Sequence, residues 1–329
     1  MLKKFIYTTA LLSVVFSCSE EKKPQEPVVQ EEAKYVSLPQ SDTAVLADFT
    51  RTQVAFGPRT PGSQAHSKFR EWVLTQFTQF GLQVSESADP VKLYTGKAIT
   101  AHNITAAYRP EAKRRILLAA HYDSRMIADQ DSVRKTEPID GANDGASGVS
   151  VLLEVAKTLQ QFPLPDSIGL DIVLFDAEDQ GASGPDAQGM DATRTWCLGS
   201  QAWAQANIAK APQYLFGILL DMVGGKGASF PKEGYSVNFA PQVVNEVWSI
   251  AQSLGYGNLF QDRQANGLID DHIFVQSIAK IPIIDIIHYD ETTGFHPTWH
   301  THNDTESNLD YTIMQSVSTV INKTIRKIR

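Results

Sequence analysis

Four short apolar runs, each closing on a polar or charged residue, constrain this chain more than any other feature. Arg114–Ala120 (RRILLAA) ends at His121, Leu170–Phe175 (LDIVLF) just before Asp176, Leu215–Leu220 (LFGILL) at Asp221 and Ile281–Ile287 (IPIIDII) at His288. Runs of this kind suit strands buried on both faces of a mostly parallel sheet. Between them the apolar spacing turns helical. Gly145–Gln161 carries Val149, Leu152, Leu153, Val155, Ala156 and Leu159, and Val243–Leu254 and Tyr311–Ile328 are similar. The alternation predicts an α/β fold, a three-layer sandwich with a mostly parallel central mixed sheet flanked by helices. Asp42–Leu82 predicts one further flanking helix, with Gly81 near its end.

In open α/β sheets, sites form outside the carboxyl ends of the strands. His121, Asp123, Glu178, Asp179 and Asp221 all fall at such ends. Polar residues that recur at strand exits and not within strands point to a site there.

Composition bounds the partners. The chain has 329 residues, 42% of them hydrophobic, and a formal net charge of -8. That fits one large domain or two small ones with a sizeable core. The acidic balance argues against a nucleic-acid binder and against broad electrostatic contact with an acidic membrane. The two cysteines, Cys18 and Cys197, sit in unlike contexts and imply no disulfide framework.

The first residues read as a targeting signal. Lys3 and Lys4 precede an apolar run, Phe5–Phe16, that is too short to span a bilayer and suits a secretory signal. Val15-Phe16-Ser17-Cys18 has the form of a bacterial lipobox, with cleavage before Cys18 and lipid on its sulfur; an ordinary signal beside an incidental cysteine is the plainer alternative. Ser19–Lys34 (SEEKKPQEPVVQEEAK) has the composition of a flexible tether. The expected organisation is a signal peptide at 1–17, a lipidated cysteine and tether at 18–38, and one catalytic domain at 39–329. Such a protein would sit in the cell envelope, held to a membrane through its lipid alone.

Four motifs carry the chemistry: His121-Tyr122-Asp123-Ser124, Gly141-Ala142-Asn143-Asp144-Gly145-Ala146-Ser147-Gly148, Phe175-Asp176-Ala177-Glu178-Asp179 and Trp299-His300-Thr301-His302. Each alone has a plain structural reading. Asp144 could cap a helix, Glu178-Asp179 could be a solvated acidic pair, and His300 could be an ordinary satisfied histidine. Together they match the needs of a catalytic zinc, which takes imidazole nitrogen and carboxylate oxygen and keeps one position open. Asp144, Asp179 and His300 supply three ligands from three separate elements. Glu178, beside a ligand yet free of the metal, can then serve as general acid and base.

At this point the order of motifs resembles zinc aminopeptidases of the M28 type, and within them the glutaminyl cyclases. The resemblance runs from about Asp42 to the C-terminus. Asp270-Asp271-His272-Ile273 and Trp299-His300-Thr301 are the segments that look like cyclases rather than peptidases. Two departures stand out. The cyclase ligand after the acid/base glutamate is commonly Glu, whereas this chain has Asp179. The cysteine pair of animal secretory cyclases has no counterpart here, which suits a bacterial branch.

The resemblance implies a zinc exopeptidase-like fold and a peptide substrate with N-terminal glutamine. Its α-amine would close onto the side-chain amide, leaving pyroglutamate and ammonia. Glu178 would carry the proton, Asp221 and Asp270 would orient the amine and the intermediate, and Trp299 would wall the glutamine side chain. The same residues allow a second reading, a dizinc aminopeptidase in which His121 and Asp221 hold a second metal bridged by Asp144. A metal-free binding module is a third.

Other residues receive plainer readings. His302 competes with His300 as a ligand, but the match of Trp299-His300-Thr301 favours His300. His272 reads as supporting or structural, and His288 and His296 as structural or surface groups. Cys197, near a helix start, reads as a small buried hydrophobe. Trp196 could line the entrance or join the core. Loops 129–139 and 180–194 read as surface segments near the site.

Overall fold

The computed structural model describes Leu38 and residues 40–327. The expected signal segment, Cys18 and all of the tether except Leu38 lie outside the described residues. In chain order the elements are α1 (Thr43–Ala55), α2 (Gln64–Gln79), β1 (Gln83–Glu86), β2 (Asp89–Lys92), β3 (Ala98–Ala101), β4 (Ile104–Tyr108), β5 (Arg114–His121), α3 (Ala146–Thr158), β6 (Ile168–Phe175), α4 (Leu198–Asn207) and β7 (Tyr214–Asp221). They continue with β8 (Phe230–Lys232), α5 (Gly234–Phe239), α6 (Pro241–Ser253), β9 (Phe260–Gln264), α7 (Asp271–Phe274), β10 (Ile283–Ile287) and α8 (Tyr311–Arg326).

Six strands form the central sheet in the order β1-β4-β6-β5-β7-β10. β6, β5, β7 and β10 run parallel, and β4 pairs antiparallel with both β6 and β1. The four apolar runs of the sequence are the four parallel strands. β10 starts two residues later than the run, because Pro282 lacks an N–H and its carbonyl instead accepts from Gly217 N.

The strands lack polar alternation because both faces are covered. Ile116, Leu118 and Ala120 of β5 face the larger core, built with α1, α2, α3, α6 and α8. Leu117 and Ala119, one residue out of phase, face Trp203 and Ala204 of α4 and Val275 beyond α7. Three layers follow directly from this period of two.

The N-terminal segment is two helices, not one. The α1 helix ends before Gly57, which adopts φ +90°, and Pro58 follows. Ser63 then caps α2 by accepting from His66 N at 3.1 Å. The helix read from Gly145 begins one residue later. Gly145 is its cap at φ +88°, and a Cβ there would lie 2.7 Å from the His121 carbonyl oxygen. Gly148 brings α3 against the sheet, since a Cβ on it would come within 2.3 Å of Leu220 O. Two glycines thus set the Asp144 loop against the ends of β5 and β7.

Candidate active site

The carboxyl ends of the parallel strands converge on one buried cluster. His121 closes β5, Asp221 closes β7, Glu178 and Asp179 follow β6, and Asp144 precedes α3. Asp270 caps α7 just ahead of β10, and His300 lies in the loop after β10. All seven are buried.

Two donor sets share Asp144. His121 Nε2 lies 3.0 Å from Asp144 Oδ1 and 3.1 Å from Asp221 Oδ1. On the other side, His300 Nε2 lies 2.8 Å from Asp179 Oδ1 and 3.7 Å from Asp144 Oδ2. Within each set the ligand atoms all lie within 4.8 Å of one another. Asp144 Oδ2 and Asp179 Oδ2 are buried without a hydrogen-bond partner. Buried carboxylate oxygens left unpaired are costly. Two acids and an imidazole converging with free lone pairs form a donor set that suits zinc. The residues therefore fit the metal, with Asp144, Asp179 and His300 as one complete set and His121 and Asp221 as further donors.

The HxD motif has a different division of labour from a simple ligand pair. Asp123 accepts hydrogen bonds from Glu178 N at 3.1 Å, Asp179 N at 3.2 Å and Gln180 Nε2 at 2.9 Å. One carboxylate thereby fixes the backbone of both Glu178 and Asp179. Ala177, at φ +52°, makes the turn sharp. Burial raises the Glu178 carboxyl well above its ordinary value; Asp179 and Asp270 add to the rise, against the pull of His121. Asp221 is pushed up to about 7, by burial first and then by Asp144 and Asp270, although His121 pulls it down. Burial likewise raises Asp270. Glu178, Cys197 and Asp270 form a tight group of their own, with ligand atoms within 4.8 Å.

Trp299 stacks on His300, with ring centroids 3.7 Å apart, and meets Phe295 in a tilted contact at 4.6 Å. It packs against an apolar cluster of Met222, Leu268 and Ile287, together with Tyr289 and Phe295.

The remaining residues fall into place. His302 turns away and meets Asp131, Nδ1 to Oδ2 at 2.7 Å, so it does not compete for the donor set. His272 pairs with Glu233 at 3.1 Å, a supporting contact. His288 and His296 are structural: both are buried, one bonded to Ser229 and the other to Thr298 and Lys226. Cys197 is buried at the start of α4, yet it is more than a hydrophobe, because its Sγ donates to Glu178 Oε1 at 3.2 Å. Trp196 lies parallel to His300 at 5.9 Å, with the Arg125 guanidinium over its ring, which places it at the site.

Several supporting residues escaped the sequence reading. Asp304 accepts from Asn143 N at 2.7 Å and Asp144 N at 3.0 Å, and so holds the loop that carries Asp144. Arg59 is fully buried and donates to the carbonyls of Tyr122, Asp140 and Gly141. Asp285 is a buried acid in the middle of β10 whose carboxyl is raised by burial and then by Asp270. Only Asp285 had a visible signal, an acid inside an apolar run.

A buried cluster of His, Asp and Glu at the strand ends of a helix-covered mixed sheet defines a metal-dependent enzyme of the zinc exopeptidase class. The model of peptidase family M28 matches residues 103–325, more than half of the chain, and the chain belongs to that family of zinc-dependent enzymes. Within it, the fold is similar to glutaminyl cyclase from Bacteroides thetaiotaomicron, solved bound to N-acetylhistamine: 39% identity, TM-score 0.85, covering 89% of this chain and 100% of that one. It is also similar to a structure from the same organism described as a leucine aminopeptidase precursor: 38% identity, TM-score 0.84, covering 89% and 99%. The glutaminyl-peptide cyclotransferase of Boiga irregularis is 28% identical over an alignment of 293 residues that covers 80% of this chain and 75% of that protein.

Proposed function

We propose that this enzyme is a glutaminyl-peptide cyclotransferase, converting the N-terminal glutamine of peptides or proteins to pyroglutamate with release of ammonia. The observation that carries the reading is the buried group of Glu178, Asp221 and Asp270. Burial raises all three carboxyls, and Asp270 adds to the rise of both Glu178 and Asp221, the latter pushed up to about 7. Intramolecular aminolysis needs such a group, because a proton must leave the amine and reach the departing nitrogen.

Asp144, Asp179 and His300 would hold the zinc, which when bound would supply Lewis acidity toward the side-chain amide oxygen. Glu178 takes the proton from the α-amine as its nitrogen bonds to the amide carbon. Glu178 then returns that proton to the amide nitrogen as the carbon–nitrogen bond breaks and ammonia departs. Asp221 and Asp270 accept hydrogen bonds from the amine or donate to the intermediate, depending on which holds a proton. Trp299 and its aromatic neighbours exclude water from the glutamine side chain. Because the nucleophile belongs to the substrate, much of the entropic cost of association is already met.

The His121–Asp144–Asp221 set favours a second reading, a dizinc aminopeptidase with Asp221 as a ligand. Ammonia release from a glutaminyl peptide, with the peptide bonds left intact, tests the cyclase reading; a peptide shortened by one residue supports the second. We further propose that Cys18 carries a lipid and holds the enzyme to a membrane of the cell envelope, on the strength of the lipobox and the tether-like composition after it.

A further inference from the structure

The loop after β5 does more than border the site. Asp129 Oδ1 lies 3.0 Å from His300 Nδ1, the ring nitrogen opposite the one that faces Asp144 and Asp179; the contact is an electrostatic one, without regular hydrogen-bond geometry, and the buried Nδ1 has no other partner among the described residues. The same Asp129 oxygen accepts from Arg125 Nε at 2.5 Å, and the other accepts from Gln130 Nε2 at 3.2 Å. Arg125 is itself buried. Its guanidinium donates to Asp179 O at 2.7 Å, Gly181 O at 3.1 Å and Ser183 Oγ at 2.9 Å. One residue further on, Gln130 N donates to His300 O at 3.2 Å. His300 needs this grip, because its φ of +55° lies in the left-handed region that non-glycine residues seldom adopt.

A neutral imidazole carries one N–H and one lone pair. A carboxylate at Nδ1 favours the tautomer with its hydrogen there and leaves the Nε2 lone pair directed at Asp144 and Asp179. It also makes that lone pair more basic and fixes the ring plane. Arg125 connects this carboxylate to the backbone of Asp179, so the two ligands are braced by a single buried side chain.

We propose that Asp129 is a positioning residue for the metal: with Arg125 it sets the tautomer and orientation of His300 and ties them to the loop bearing Asp179. The inference rests on His300 being a zinc ligand, and not on which reaction the enzyme performs.

The test is the zinc dissociation constant, measured by competition with a chelator for wild type, Asp129→Asn, Asp129→Ala and His300→Asn. Loss of an outer hydrogen-bond partner typically weakens metal binding about 10–100-fold. Asp129→Asn, which keeps an acceptor but no charge, should fall near the lower end of that range and Asp129→Ala near the upper. The cobalt(II)-loaded Asp129→Asn protein should show shifted visible absorption relative to wild type, and the metal-free proteins should melt alike. A purely structural role would instead lower the melting of the metal-free variants and leave the cobalt spectrum unchanged, which overturns the proposal. Wild-type zinc affinity in both Asp129 variants, with weak binding in His300→Asn, overturns it while leaving the ligand assignment standing. Wild-type affinity in His300→Asn removes the ligand assignment itself, and the proposal falls with it.

Discussion

At the scale of the residue, two neighbouring acids meet unlike surroundings, and the proposed reaction gives them unequal tasks. Glu178 and Asp179 are adjacent in sequence, and both have their N–H groups held by Asp123. Asp179 meets His300, while Glu178 meets Cys197 and approaches His121 to 4.0 Å. In the proposed mechanism, Glu178→Gln removes the proton carrier and leaves Asp144, Asp179 and His300 in place. It should retain zinc and lose turnover by about 10²–10⁴-fold, the usual worth of general acid–base catalysis. Metal analysis beside steady-state kinetics checks this; a fully active variant would end the assignment. The sign of the pH effect follows from the raised Glu178 carboxyl. Only the ionised form accepts a proton, so kcat/KM should fall as pH drops, with its acid limb above the ordinary glutamate value of 4.5. The limb should be absent from the residual activity of Glu178→Gln. His121, Asp123, Glu178, Asp179 and Asp221 were legible because each stands at a strand exit; Asp144 and His300 lie in loops and were legible only through their motifs. Asp129, Asp304 and Arg59 were not, since their roles depend on which loops meet in space, and no spacing rule reports that.

At the scale of the element, the parallel strands were legible and the edge of the sheet was not. β5, β6, β7 and β10 are buried on both faces and so appear as unbroken apolar runs. β1 is short and largely exposed, and the sequence QVSE carries no comparable signal. The split of α1 from α2 turns on Gly57-Pro58, whose effect is local, whereas the apolar pattern runs on through both helices. Helix α3 presents the sharpest constraint. Gly148 lies where a methyl group would meet Leu220 O and Ala120 Cβ. Gly148→Ala should therefore push α3 from the sheet and cost about 1–3 kcal/mol, in the range of overpacked cores. It should also weaken zinc binding, because Asp144 enters through the same turn. Denaturant unfolding of the metal-free protein and a zinc titration check both effects; unchanged values in both would contradict the close approach.

At the scale of the whole molecule, an acidic, proline-containing segment precedes the α/β domain in the sequence, and we propose that it acts as a tether. If Cys18 carries lipid, Cys18→Ser should move the protein from the membrane fraction to the soluble one with its activity unchanged; retention in membranes would reject the anchor. The central claim concerns the reaction. The most direct measurement gives the zinc-loaded domain, from about Tyr35 onward, a glutaminyl peptide and a leucyl anilide, and follows the two by mass spectrometry and absorbance. The account predicts that the glutaminyl peptide loses one ammonia and keeps all its peptide bonds, and that the anilide stays intact. Release of the aniline, with no cyclised peptide, would contradict it and assign Asp221 to a second metal.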